Sequence, residues 1–442
     1  MSANSNATPN ATDPNLTHLH TARAHIAKGD LKSAALTLNL AQRNDPHDPR
    51  IFLLAGVMAE KSGNIPKAFE ALQHSVALAP EWGPGLLELA LLHARQNQFA
   101  QAVETAEKVA ALEPDNLQVL AGVIDIAHRA GHTDMAVRHL RRGLQLVPGD
   151  VQLRRLLARD LTALEQFAEA VQIWSTLLEQ NPADTEAREG RVQTLFAQGQ
   201  PAKARTDTLA LLEKDPGNAV HAYHNALAHG ATPPHQPSQI SRALFDGMAE
   251  VYDQHMVRGL KYQLPKQVAN RLLAEYPDKK INVLDLGCGT GLLGVCLGRL
   301  DGALVGVDIS RGMIGQAAKH NVYDRFHHTN LLDALEETPA SLYQVIAALD
   351  VFIYTGDLQE AIPNALRILV PGGQLVFSCE TASEDGPDLV LLRAGRYAHK
   401  RSHVEALCRA AGFGTVSVED TVLRQENNAP VHGFLVFAHK PV

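Results

Sequence analysis

The stretch INVLDLGCGTG, residues 281–291, decides how the C-terminal half of the chain folds. Residues 281–286 are a short apolar run, which reads as a buried strand. Gly287, Gly289 and Gly291 follow, and LLGVCLGRL (292–300) then reads as a helix. The glycines permit a tight turn and let the backbone approach a ligand closely. Strand, glycine loop and helix in this order form a nucleotide-binding arrangement. Further on, LVGVDIS (304–310) is a second strand ending in Asp308. A carboxylate at that point can accept hydrogen bonds from both ribose hydroxyls of an adenosine.

Two cofactor classes share this layout. Gly289, Gly291 and Gly294 satisfy G-x-G-x-x-G and, with Asp308, would suit a dinucleotide. Asp285 argues against that, because a dinucleotide places its pyrophosphate on the helix N-terminus, where a nearby carboxylate is unhelpful. The pattern VLDLGCGTG instead resembles motif I of class I S-adenosylmethionine-dependent methyltransferases. The resemblance implies an α/β Rossmann-like domain with a seven-stranded sheet, its last strand antiparallel, and S-adenosyl-L-methionine as cofactor. It implies that Gly287, Cys288, Gly289, Thr290 and Gly291 face the methionine end of the cofactor. It also implies that Asp285 orients the amino group and that Asp308, with Ile309 beside it, holds the adenosine.

The rest of this half agrees. A third strand near 322–328 leads to Asn330 and Leu331. Family members usually carry an acid here for the adenine amine; the amide oxygen of Asn330 can accept instead. Residues 343–350 read as a fourth strand, and Asp350 opens DVFIY, which matches the family's motif at the cofactor and substrate edge. Helices over 311–320, 357–369 and 402–411 and strands 374–380, 415–420 and 433–439 complete the pattern. Upstream, FDGMAEVYD (245–253) resembles the lid helices of small class I enzymes, with Phe245, Ala249 and Tyr252 at the expected spacing. Tyr252 and Tyr262 either close over the cofactor or simply pack the lid.

The first half is a repeat. Prolines at 46, 80, 114, 148, 182 and 216 and alanines at 34, 68, 102, 136, 170 and 204 share a period of 34 residues. Gly29, Gly63, Gly131 and Gly199 hold the same register, with Asn97 and Glu165 at the two remaining positions. The alanine fits where two helices cross. The glycine or its substitute ends the first helix in a left-handed conformation, and the proline stops the second. This resembles a tetratricopeptide (TPR) solenoid, an all-α array of helix pairs. Ile124 and Val192 depart from it, occupying a position that is usually small. The expected organisation is a polar tail over 1–14, six repeats and a capping helix over 15–230, a linker over 231–239 (ATPPHQPS and the residue after it), and the methyltransferase domain over 240–442. Together this is identified with the bacterial tetratricopeptide-repeat methyltransferases.

Charge narrows the partners. The formal net charge is −8, split evenly about residue 240, so neither half is a bulk nucleic-acid binder. Such arrays commonly hold a peptide or protein in their concave groove, and that is the expected partner. Arg138, Arg141, Arg142, Arg154, Arg155 and Arg159 would favour an acidic one, unless they form an ordinary solvated face. Cys288, Cys296, Cys379 and Cys408 have no C-x-x-C spacing, which fits a reducing cytoplasm. No signal peptide or membrane span is expected, and no metal site, since no carboxylate or cysteine cluster surrounds the histidines.

Methyl transfer from a sulfonium needs proximity, alignment and exclusion of water. A base is needed only if the acceptor must lose a proton. The segment GRYAHKRSH (395–403), with Arg396, Tyr397 and His399, often lines the acceptor pocket in the family. His399 is the candidate general base and Tyr354 a candidate pocket wall or proton acceptor. The motif LDVF (349–352) differs from the D/N-P-P-Y/F of many enzymes that methylate exocyclic or amide nitrogens, which argues against a nucleobase or glutamine acceptor. Three functions follow: a methyltransferase whose acceptor, a protein or carrier-bound group, is recruited by the repeats; a small-molecule O- or C-methyltransferase whose repeats serve assembly; and a non-catalytic scaffold with a vestigial cofactor domain.

Overall fold

A computed structural model of the chain describes residues 13–392, 394–426 and 429–442. The polar tail expected over 1–14 lies outside the described residues except for Asp13 and Pro14, and Asp13 pairs with Arg50. The chain divides into two compact units between Gln200 and Pro201, rather than at the proline-rich stretch.

Over its described residues the first unit is built of helices and the turns between them. Its pairs run Leu16–Lys28 with Leu31–Asn44, Pro49–Lys61 with Ile65–Leu78, Gly83–Arg95 with Phe99–Leu112, Leu117–Ala130 with Thr133–Leu146, and Val151–Ala163 with Phe167–Gln180, followed by Thr185–Ala197. The periodic residues act as their chemistry requires. Ala34, Ala68, Ala102, Ala136 and Ala170 are fully buried. Gly29, Gly63, Gly131 and Gly199 have φ between 73° and 78°, and Asn97 and Glu165 adopt the same hand at 58° and 59°. The helix caps follow the same register: Asp48, Asn116, Asp150 and Asp184 each accept a backbone N–H at the start of a first helix, which satisfies an otherwise orphaned donor. Ile124 fills the cluster formed with Val137, Leu140 and Leu157, so its extra bulk is used in packing.

The basic stretch is not a free cationic surface. Arg138 pairs with Glu107, Arg141 with Glu169, Arg142 with Asp115, Arg155 with Asp184 and Glu186, and Arg159 with Glu186. Arg154 donates to the Pro148 carbonyl. Each arginine meets an acceptor nearby, which removes the reason to expect an acidic partner there.

The second unit opens with helices Arg205–Lys214 and Ala219–Ala228 and continues into an α/β domain. Its strands are β1 (Val283–Leu286), β2 (Leu304–Asp308), β3 (Arg325–His328), β4 (Tyr343–Ala348), β5 (Leu369–Ala382), β6 (Leu389–Leu391), β7 (Tyr397–Lys400), β8 (Thr415–Glu426) and β9 (Ala429–His439). Strands β3, β2, β1, β4 and β5 lie side by side in parallel, and β9 then pairs antiparallel with both β5 and β8. This is the expected seven-stranded core with its last strand antiparallel. The structure adds a short pair: β7 runs parallel to the far end of β5, at Glu380–Ala382, and β6 pairs antiparallel with β7. The segment 395–403, expected at the acceptor pocket, therefore includes a strand.

Strands β1 and β2 are buried at every position, as expected of parallel strands covered on both faces. One apolar cluster holds Leu284, Leu286, Phe352, Phe377 and Phe434 on one face of the sheet, and another holds Val283, Leu293, Val345, Val376 and Phe437 on the other. This packing fixes the strand ends, where the glycine loop, Asp308 and Asp350 emerge.

Candidate functional site

A cavity opens at the C-terminal ends of β1, β2 and β4, the place where ligands bind in open parallel sheets. Gly287 and Gly289 line it from the first loop, Asp308 and Ile309 from the second, Asn330 and Leu331 from the third, and Asp350, Val351 and Tyr354 from the fourth. Tyr252 and Phe245 line it from the lid. The sequence thus placed nine of its candidate residues on one wall system: Tyr252, Gly287, Gly289, Asp308, Ile309, Asn330, Leu331, Asp350 and Tyr354.

The glycine loop is shaped by close approaches. Gly287, Gly289 and Gly291 have φ of 64°, 54° and 88°. A Cβ on Gly287 would sit 2.4 Å from a Val351 methyl, so a larger residue would push the loop off β4's exit. Cys288, Thr290 and Gly291 do not line the cavity. The Cys288 thiol is buried against β2, where a Cβ on Gly306 would come within 2.9 Å of its sulfur. The Thr290 hydroxyl donates to Asp253.

Asp308 is held by the backbone: its carboxylate accepts from the Gly289 N–H and the Ser310 N–H, each at 2.8 Å. Burial nevertheless raises its pKa. Asp285 takes a different place from the one expected. It is 3% exposed, does not line the cavity, and accepts a 2.6 Å hydrogen bond from the Tyr323 hydroxyl. Burial pushes its carboxyl up to about 7. Tyr323 reaches it only because residue 294 is glycine; a Cβ there would lie 2.4 Å from the Tyr323 ring. The third glycine of the dinucleotide-like pattern therefore makes room for this tyrosine.

Asp350 adopts φ 54°, unfavourable for a residue with a Cβ. A buried ion cluster holds it there. Arg424 of β8, 3% exposed, contacts Asp350 at 2.8 Å, Glu426 at 2.9 Å, and Glu380. Arg396 joins Glu380 at 2.7 Å and Glu426 at 2.9 Å. Burial works against the charge of Arg424, and Asp350 and Glu380 more than offset it, so its pKa rises. Burial is also the main influence on Asp350, whose pKa is raised. Its Oδ1 is buried without a partner.

The two aspartates of FDGMAEVYD explain the motif. Asp246 accepts from the Ser310 hydroxyl at 2.6 Å and the Gly312 N–H at 3.3 Å, and Asp253 accepts from Thr290. The lid is therefore latched to both ligand-facing loops, and Phe245 stacks edge-on against Tyr354 at 5.0 Å. Tyr252 faces the cavity; Tyr262 is buried in the core and packs the lid.

The candidate base His399 is not among the residues that line this cavity. It is 2% exposed. Its Nε2 donates to the Gly356 carbonyl at 2.6 Å, and burial lowers its pKa. It braces β7 against the loop after β4 and has no surface on which an acceptor could sit. Arg396 and Tyr397 do not line the cavity either; Tyr397 donates to the Pro233 carbonyl at 2.9 Å. Tyr354 does line it, but burial raises its phenol to about 12, so at neutral pH it is a wall and a donor, not a base. The sequence missed His235, Gln236, Ser238 and Ser241, which line the cavity from the proline-rich segment and the lid helix Ser238–Met248. Among the described residues no cluster of metal-ligating side chains is found, and no helix is long and apolar enough to cross a membrane.

Residues 256–418 match the family described as a methyltransferase domain, and residues 19–81, 87–151 and 155–219 match the tetratricopeptide repeat. A ubiquinone biosynthesis O-methyltransferase from Coxiella burnetii is 28% identical over 121 residues, 26% of this chain and 52% of that protein. A malonyl-[acyl-carrier protein] O-methyltransferase from Priestia megaterium is 29% identical over 144 residues, 32% of this chain and 51% of that protein. The chain thus spans about half the length of the curated relatives it matches. Among solved structures, magnesium protoporphyrin IX methyltransferase from Synechocystis with bound SAH aligns with a TM-score of 0.37 at 18% identity, covering 46% of this chain and 99% of that one. A tetratricopeptide repeat protein from Parabacteroides merdae aligns at 0.37 and 18%, covering 52% and 90%.

Proposed function

From a chain that joins tetratricopeptide repeats to a class I S-adenosylmethionine-dependent methyltransferase domain, we propose an enzyme that transfers the methyl group of S-adenosylmethionine to an oxygen of an acceptor recruited by the repeats. The observation that carries the reading is one cavity bounded by the Gly287 and Gly289 backbone and by the carboxylates of Asp308 and Asp350. These groups fit the cofactor's chemistry. Asp308, pinned by two amides, keeps further acceptor capacity for ribose hydroxyls. The unpartnered Oδ1 of Asp350 suits a donor such as the methionine ammonium, because a buried acceptor left unpaired costs about 1–3 kcal/mol. Asn330 lines the adenine side, its oxygen also capping the Leu332 N–H at 2.8 Å.

The cofactor supplies a methyl already activated by positive sulfur. The chain's own residues align and dry the site. Phe245, Tyr252, Leu349 and Tyr354 form an apolar wall that excludes water and strengthens the electrostatics inside. Oxygen as the acceptor atom is supported by the two O-methyltransferase relatives and by LDVF in place of a D/N-P-P-Y/F motif. Recruitment is supported by the groove of the second repeat, where Phe52, Met58, Phe69 and His74 offer an apolar and aromatic surface of the kind that receives peptide side chains.

Calorimetric titration with S-adenosylmethionine tests the site. Asp308→Ala should weaken binding roughly 10- to 100-fold, the loss expected for hydrogen bonds to a charged acceptor. Unchanged affinity would defeat the assignment, and no binding to the wild-type chain would favour the scaffold reading.

A further inference from the structure

We propose that His235, in the proline-rich segment before the lid, is the general base of the transfer, and that the acceptor atom is a hydroxyl oxygen. This rests on the methyltransferase reading above and adds to it a residue and an acceptor chemistry. His235 lines the same cavity as Asp350 and Tyr354. The main chain around it is clamped. The Tyr397 hydroxyl donates to the Pro233 carbonyl at 2.9 Å, and the Asp357 N–H donates to the Pro234 carbonyl at 2.8 Å. His235 itself forms a backbone bridge with Gly356. Gly356 has φ 91°, and a Cβ there would lie 2.1 Å from the Pro234 oxygen. Only glycine lets the two segments approach this closely.

The tautomer follows from the partner. His235 Nδ1 lies 3.1 Å from the Thr355 carbonyl oxygen. A carbonyl only accepts, so Nδ1 carries the proton and Nε2 of the neutral ring keeps its lone pair. Among the described residues Nε2 has no protein partner. A ring oriented through one nitrogen and basic at the other, on a cavity wall, is the arrangement of a general base. The two carboxylates on the wall serve the cofactor in the reading above, Asp308 pinned by two backbone amides and Asp350 by Arg424. In the transfer, the acceptor hydroxyl gives its proton to Nε2 while its oxygen forms the new bond to the methyl carbon. The carbon–sulfur bond breaks with its electron pair remaining on sulfur, and the imidazolium later returns the proton to solvent.

The test uses the full chain, labelled S-adenosylmethionine, and two probes, 3,4-dihydroxybenzoate and 3,4-diaminobenzoate. The diamine can attack without prior loss of a proton. Transfer to the dihydroxy probe is expected, with His235→Ala lowering kcat by roughly 10²- to 10⁴-fold and leaving S-adenosylhomocysteine affinity within about twofold. His235→Gln keeps a side-chain donor for the Thr355 carbonyl and should be equally slow. Imidazole in the buffer should restore turnover to His235→Ala, which a purely structural role would not permit. Variants within about threefold of wild type, or transfer to the diamine alone, would overturn the proposal. If neither probe is methylated, nitrogen chemical shifts of ¹⁵N-histidine-labelled protein decide: a proton on Nδ1 of His235 sustains it, and a proton on Nε2 overturns it. Absence of S-adenosylhomocysteine binding to the wild-type chain would be a failure of the methyltransferase reading itself.

Discussion

At the scale of single residues, two carboxylates of similar sequence prominence have different environments. Asp308 faces the cavity, whereas Asp285 stands behind the loop with Tyr323. This has a consequence for pH. Burial raises the Asp285 carboxyl from 3.8 to about 7, so between those values the folded chain holds a proton that the unfolded chain has lost. The Asp285 contribution to stability is greatest on the acid side, declines as pH rises toward 7, and then levels off. Asp285→Asn removes the titration and keeps an oxygen for Tyr323. Its melting temperature should exceed that of wild type at pH 8 and approach it at pH 5; an equal difference at both would refute the buried proton. Asp285 and Asp308 were legible because each lies near the C-terminal end of an apolar strand, Asp285 just before the glycine loop and Asp308 at the end of β2. Which one faces the ligand was not, since that depends on Tyr323, 38 residues away from Asp285.

At the scale of elements, the array follows local rules that the sequence displays. The turn between paired helices needs a left-handed residue, and where glycine is missing Glu165 takes φ 59°. A residue with a Cβ pays roughly 1–2 kcal/mol for that hand. Glu165→Gly should therefore raise the unfolding free energy by about 1 kcal/mol in urea melts, and a decrease would contradict the turn's assignment. Strand β8 is the opposite case. Its exposed positions read as an ordinary outer strand, yet Arg424 reaches inward to hold Asp350 and Glu380. Arg424→Met leaves Asp350 buried and unpaired and Glu380 with Arg396 alone, and should cost about 3–5 kcal/mol. It should also weaken cofactor binding, by freeing Asp350 from its strained conformation. A loss below about 1 kcal/mol would show that the cluster is held by other contacts.

At the scale of the molecule, compactness divides the chain within the repeat register, after Gln200. Helices Arg205–Lys214 and Ala219–Ala228 share a unit with the α/β domain, and Pro233, Pro234 and His235 are bonded to its loops. A chain beginning at Pro201 should keep S-adenosylhomocysteine affinity within about threefold of full length and still methylate a small acceptor. A chain beginning at Ser238 should lose most acceptor turnover, having lost the wall that carries His235. If the Pro201 chain also matched full length on the physiological acceptor, recruitment by the repeats would be excluded. Equal turnover by the two shortened chains would rule out the segment's catalytic part.

The sequence by itself determined the repeat period, the Rossmann-like core and most of the cavity wall. Each of these is written in local patterns: a 34-residue spacing of small, turn and breaker residues, and a glycine loop between an apolar strand and a helix. Tertiary structure alone decided which histidine meets the cavity. His399 lies in a family-like segment but is buried behind Gly356, while His235 lies among prolines that read as a spacer. The reason is physical: a polar side chain's role depends on what surrounds it in space, and the contacts that place His235 come from residues 355–357 and 397, more than a hundred positions along the chain.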